Sequence, residues 1–139
     1  MGGVVDTSVI AACERKRWTA RQTIAHLQQV FPEEMAVPAI AAAELITGIY
    51  TAPDTRQAEA RRVFVQGIFE AWPPMPFSER AAWIAGRIRG QQGAVGNTLP
   101  LADSLIAATA LELGFAVLTL NVRDFIRIPG LRVVPFVLP

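Results

Sequence analysis

Cysteine, histidine and lysine are nearly missing: Cys13, His26 and Lys16 are the only ones in 139 residues. Each scarcity closes off a class of chemistry. One cysteine allows no intrachain disulfide, and a cytoplasmic setting is expected. One cysteine and one histidine exclude a Cys/His zinc site within a single chain. A Ser-His-Asp site would have to use His26, and no nucleophile-elbow motif accompanies it. No glycine-rich phosphate loop of the P-loop type is present. No apolar run approaches the roughly 20 residues that a membrane helix needs. The longest candidate, Met35 to Ala43, is broken by Pro38 and followed by Glu44. The first apolar stretch is short and contains Asp6, so no signal peptide is expected.

What remains is an aliphatic chain with arginine as its cation. Hydrophobic residues make up 52 % and the net charge is +1, so no strong global field draws in nucleic acid. Twelve of the thirteen cations are arginine, a side chain suited to bidentate phosphate contacts. The length fits a single domain over 1–139. The apolar content suggests surface buried between chains, with the face Phe64, Ile68, Phe69 and Trp72 as the candidate.

Short aliphatic runs alternate with longer helical ones. Val4-Val5 closes a strand, and Asp6-Thr7-Ser8 reads as a strand-to-helix turn with capping hydroxyls. Helices are predicted at about 8–16 and 19–30, then a strand over Met35–Val37 ended by Pro38. Ala39 to Tyr50 is apolar nearly all round and is predicted to be a buried helix. The next helix starts at Pro53-Asp54 and stops at Pro73-Pro74. A short strand over Met75–Phe77 precedes a helix opened by Ser78 and ending in the glycine-rich stretch Gly90–Gly96. Another apolar helix runs from Pro100 to Gly114, followed by a strand over Phe115–Thr119. Val133-Val134 is a last edge strand, because Pro135 cannot donate to a central ladder. The pattern predicts an α/β fold, a three-layer α/β/α sandwich on a parallel sheet of about four or five strands.

Against this background Asp6, Glu44, Asp103 and the pair Asn121/Asp124 stand out. Each interrupts or ends an aliphatic run, where a lone carboxylate is costly unless something positive holds it. Asp6 and Asn121/Asp124 lie just past strands, and Glu44 and Asp103 lie near helix starts, so all can meet at one edge of a parallel sheet. Two carboxylates about 4 Å apart repel by roughly 4 kcal/mol at an effective dielectric near 20. A shared Mg²⁺ or Mn²⁺ answers that repulsion, since hard oxygen ligands select such ions. Separately, each acid has an ordinary reading: Asp6 as a helix cap, Glu44 as a residue pointing out of a helix that is less buried than its composition suggests, Asp103 as a partner of the helix dipole and Asp124 as a turn residue.

Four segments in order resemble the PIN-domain ribonucleases, and among them the VapC-type toxins of bacterial toxin–antitoxin pairs. They are Val-Val-Asp-Thr-Ser-Val-Ile at the start, Ala-Ala-Ala-Glu-Leu-Ile-Thr-Gly-Ile around Glu44, Leu-Pro-Leu-Ala-Asp-Ser-Leu-Ile-Ala-Ala-Thr-Ala around Asp103, and Leu-Thr-Leu-Asn-Val-Arg-Asp-Phe near the end. The resemblance implies Mg²⁺-dependent cleavage of RNA, with Asp6, Glu44, Asp103 and Asp124 as catalytic acids. The metal would polarise the scissile phosphate and activate water. The fourth acid of the family often matches Asn121, so either Asn121 or Asp124 completes the ligand set. Thr7 and Thr119 match supporting hydroxyl positions. A homodimer and a cognate antitoxin lying in a groove are also implied. Arg123 and Arg127 are candidates to steer phosphates. The competing reading is a non-catalytic PIN-like or receiver-like partner-binding module. A receiver would use a late-chain lysine, and Lys16 is early.

Overall fold

The computed structural model describes residues 1–139. The elements are β1 (Gly3–Val5), α1 (Thr7–Arg15), α2 (Ala20–Val30), β2 (Met35–Pro38), α3 (Ala39–Tyr50), α4 (Thr55–Ala71), β3 (Pro74–Met75), α5 (Glu79–Ala94), α6 (Leu101–Leu113), β4 (Ala116–Thr119), α7 (Val122–Phe125) and β5 (Val133–Pro135). The five strands are all parallel, in the order β3-β2-β1-β4-β5. Helices cover this sheet in the expected three-layer α/β/α arrangement. The central strands β1, β2 and β4 are wholly buried, which is why they read as unbroken aliphatic runs rather than alternating ones. Both edge strands carry proline, at Pro74 and Pro135, where a missing N–H leaves no central ladder broken. No helix is long and apolar enough to cross a membrane.

The chain winds from β1 outward to β2 and β3, then returns across the sheet to β4 and β5. The reversal puts the topological switch point between β1 and β4, whose partners are Val4 with Val117 and Val5 with Leu118. In open α/β sheets the crevice at such a point, beyond the carboxyl ends of the strands, is where ligands bind. One core of 26 buried residues supports it, including Val4, Val5, Ile10, Leu27, Ile68, Ile106, Leu118 and Phe125.

Several sequence expectations are corrected. The third strand is Pro74–Met75 rather than Met75–Phe77, because Pro74 and Met75 pair with Val37 and Pro38 at the end of β2. The short helix α7 was not anticipated. α3 is not buried all round: Ala43, Glu44, Ile46, Thr47 and Tyr50 are exposed, since only one side of α3 packs on α1, α4 and α6. Nor is the Phe64, Ile68, Trp72 face of α4 free to bury against another chain. All three are buried within the fold, and Phe69 packs beside them. The exposed large apolar side chains are instead Tyr50, Val63, Trp83, Val95 and Ile126, among others.

α2 and α4 approach closely at Gly67, where an added Cβ would lie 2.5 Å from the Cβ of Ala20. A methyl–methyl clash between two helix backbones cannot be relieved by a rotamer change. Gly67→Ala should therefore cost about 1–3 kcal/mol, although alanine is the better helix former. Gly90→Ala, which meets nothing within 4 Å, should gain about 0.5–1 kcal/mol from the same propensity. Urea unfolding of both variants checks the pair; two changes of the same sign would refute the packing argument.

Candidate active site

Asp6 is the innermost residue of the site, only 3 % exposed. Its backbone N–H donates to the carbonyl of Leu118 at 2.9 Å, which continues the β1–β4 ladder one step past β1. It sits at the N-cap of α1 but makes no side-chain capping bond. Its carboxylate instead accepts two hydroxyls at Oδ2, from Ser8 and from Thr119, each at 2.7 Å. Each hydroxyl is itself fixed from the β4 side. Thr119 Oγ1 accepts the backbone N–H of Asn121 at 2.8 Å, and Ser8 Oγ accepts that of Leu120 at 3.3 Å. The capping role expected of Thr7 and Ser8 is thus corrected: Ser8 joins Thr119 in clamping Asp6 across the switch point, and Thr7 bonds to Glu44. Ser8 had no assigned part in the site, and a hydroxyl two residues after a strand-ending acid was the available signal. Asp6 Oδ1 takes no hydrogen bond from the chain.

Glu44 projects from the exposed side of α3, and Thr7 Oγ1 donates to its Oε1 at 2.6 Å. That bond ties α1 to α3, so Thr7 and Thr119 each hold one acid. Asp103 lies in the first turn of α6 and Asp124 in α7, both half-buried. The Asp103 carboxyl is raised to about 6, first by burial, then by the charges of Asp6, Asp124 and Glu44, and last by a hydrogen bond with Asp124. Four acids from four separate segments therefore act on one another. Asn121, at the start of α7, is exposed, and its side chain makes no capping bond there.

No cation offsets this charge. The ion pairs of the protein are the N-terminus with Glu33 and Arg62 with Glu59, and neither involves the four acids. In this conformation no three of the acids converge on one ion-sized point, although they are close enough to raise Asp103. The donor set fits a hard divalent cation: all oxygen, several negative charges and no competing Lys or Arg. His26 lies elsewhere in the packing, edge-on to Trp18 and Phe136 at 4.9 and 5.9 Å. Burial pushes the Cys13 thiol up to about 11, which leaves it unreactive near neutrality. Two surface cavities, of about 450 and 360 Å³, contain none of the four acids. The chemically distinct feature here is the group of acids beyond the carboxyl ends of β1 and β4.

Comparison with known proteins gives matches along nearly the whole chain. The family described as PIN domain matches residues 3–131. Ribonuclease VapC1 of Rickettsia felis is 32 % identical over 133 residues, 96 % of this chain and 95 % of that protein. The tRNA(fMet)-specific endonuclease VapC of Salmonella typhimurium is 28 % identical over 116 residues, 84 % of this chain and 88 % of that one. Among solved structures, a member of the VapBC family of toxin-antitoxin systems, VapBC-5 from Mycobacterium tuberculosis, superposes with a TM-score of 0.74 at 25 % identity. It covers 99 % of this chain and 98 % of its own.

The raised Asp103 has a consequence for stability without metal. Its folded pKa of about 6 exceeds the ordinary 3.8, so between those values the folded state holds more proton than the unfolded one. Stability must then fall as pH rises through that window and level off above it. Asp103→Asn should remove this slope and stabilise the protein by about 1–2 kcal/mol at pH 7, allowing for solvent screening. Denaturation midpoints from pH 4 to 8 in EDTA provide the measurement. A wild-type profile that rises across the window would refute the assignment.

Proposed function

The chain belongs to the PIN-domain family, and from that premise we propose that it is a divalent-metal-dependent endoribonuclease, the toxin of a bacterial toxin–antitoxin pair. The observation that carries this reading is the cluster of four carboxylates without a cation, three of which raise the fourth. Such a cluster opposes folding unless a ligand uses it. RNA as substrate and a cognate antitoxin as partner are supported by the relatives, which are named as a ribonuclease, a tRNA-specific endonuclease and a toxin–antitoxin system.

Asp6, Asp103 and Asp124, with Glu44 at the rim, would hold Mg²⁺ or Mn²⁺. A bound divalent ion supplies Lewis acidity toward a phosphate oxygen and a lowered pKa for water. The protein's own residues do the rest. Ser8 and Thr119 fix the Asp6 carboxylate through Oδ2 and leave Oδ1 without a hydrogen bond from the chain. Thr7 restrains Glu44, which would otherwise swing freely on an exposed helix face. Burial and the charges of Asp6, Asp124 and Glu44 raise the Asp103 carboxyl, and a bound cation would oppose that shift. We propose Asp124 as the fourth ligand, because its charge is among those that raise Asp103, in preference to the exposed amide of Asn121. No side-chain nucleophile is needed. The exposed apolar residues Tyr50, Val63 and Trp83 are surface that a second copy or an antitoxin would cover.

Wild-type protein should cleave members of a panel of structured RNAs, tRNAs included, in Mg²⁺ or Mn²⁺ and lose that activity in excess EDTA. Asp6→Asn and Asp103→Asn should each lower the rate at least about 100-fold, the scale of losing one group of a preorganised site, while remaining folded. Cleavage that persists in EDTA sinks the metal mechanism. A folded wild type that binds RNA but never cuts it favours the non-catalytic module.

A calorimetric Mn²⁺ titration separates the two candidates for the fourth ligand. Asp124→Asn should weaken binding by about tenfold or more, since it removes an anionic oxygen from the set. Asn121→Asp should change it by less than about twofold if Asn121 lies outside. The reverse order of effects would transfer the role to Asn121.

A further inference from the structure

The loop between α5 and α6 leads directly into the turn that carries Asp103. Two arginines from different elements reach this loop. Arg89 of α5 donates from Nη1 to the carbonyl of Leu99 at 3.4 Å, and Arg127, just beyond α7, donates from Nη1 to Asn97 Oδ1 at 3.5 Å. Asn97 is braced from behind: its Nδ2 donates to Gln92 Oε1 at 2.6 Å and its backbone N–H to the Gln92 carbonyl at 2.8 Å. The loop is thus firmly held, whereas the arginine bonds are long and easily exchanged. Both arginines are exposed, and neither pairs with a carboxylate.

Their position along the chain is informative. Leu99 precedes Asp103 by four residues, and Arg127 follows Asp124 by three. The two cations therefore meet on the segment that leads from α5 into the Asp103 turn, and Arg127 comes just after the helix that carries Asp124. Each guanidinium donates to the loop and neither pairs with an acid, so the four acids stay without a cation from the chain. An anionic crevice also repels an RNA strand, and something beside it has to draw the backbone in. Each guanidinium has five donors and spends one, so most of its fork remains for a phosphate.

We infer that Arg89 and Arg127 form a backbone clamp that seats RNA phosphates adjoining the one to be cut. The clamp rests on the endoribonuclease reading above. It acts on substrate position: the acids face the scissile phosphate, and the arginines take neighbouring phosphates without base readout.

The test uses the full chain and a fluorescein-labelled 20-nucleotide RNA hairpin, with binding measured in EDTA so that no cleavage intervenes. Arg89→Ala and Arg127→Ala should each weaken binding about 5- to 20-fold. Each should also reduce the slope of log Kd against log salt by about 0.7–0.9, one phosphate contact's worth. Arg127→Lys keeps the charge and should restore the slope, which a merely structural role for Arg127 would not require. With Mg²⁺ added, the double alanine variant should raise KM more than it lowers kcat. Unchanged affinity and slope in the double variant would overturn the clamp, and so would a loss confined to kcat. If wild-type protein binds the hairpin with the arginine-dependent slope but cuts no RNA in Mg²⁺ or Mn²⁺, the endoribonuclease reading falls and the clamp stands as a binding device. If wild-type protein does not bind RNA at all, the clamp is overturned.

Discussion

A buried carboxylate held by hydroxyls instead of by a cation is the constraint around which this fold is arranged. Asp6 cannot move: its main chain is laddered to β4, and its Oδ2 is gripped by Ser8 and Thr119. Both hydroxyls are anchored to the backbone that follows β4, so the separation of β1 and β4 beyond the sheet is set by neutral hydrogen bonds. A lysine or arginine in their place would also satisfy Asp6, and would neutralise the charge that makes the site useful. Hydroxyls satisfy the geometry and leave the charge in place.

The other acids are brought to this fixed point by elements with little else in common. α3 carries Glu44 on its solvent side, and α6 carries Asp103 at its first turn, where the helix dipole favours a negative charge. α7 is only four residues long and serves to turn the chain so that Asp124 reaches Asp103. Bringing four acids together opposes folding, and the aliphatic core beneath offsets it. That core is also why β1, β2 and β4 have no polar face: with helices above and below, every strand position is interior. The tight helix contact at Gly67 belongs to the same economy, since close packing over a small sheet requires some positions without a side chain.

Strand and helix order were legible because each central strand is buried on both faces, and because proline and glycine mark the boundaries clearly. Gly114 ends α6 with φ +70°, a conformation that glycine adopts without strain. α7 was not legible: four residues are too few for any periodicity to emerge. The exposed side of α3 was misread for a different reason. Alanine and isoleucine satisfy a buried or an exposed position alike, so composition alone could not show that Ile46 and Tyr50 face out. The same ambiguity made the apolar face of α4 look like a surface for another chain, when Phe64, Ile68 and Trp72 are interior.

Sequence by itself determined which residues could carry chemistry. A chain with one cysteine, one histidine and one lysine has few options besides carboxylates, and acids placed at strand ends and helix starts of a parallel α/β pattern can share one edge of the sheet. Only the tertiary structure decided how those acids are held and which of them interact. Whether Ser8 caps a helix or clamps Asp6 depends on where β4 ends relative to β1. Whether Asp124 or Asn121 faces Asp103 depends on the turn of a helix too short to announce itself. Both are through-space relations, the first between segments more than a hundred residues apart and the second between helices separated by a strand. Local propensity carries no information about such distances, because burial and hydrogen bonding are satisfied by the whole fold and not by any one stretch of chain.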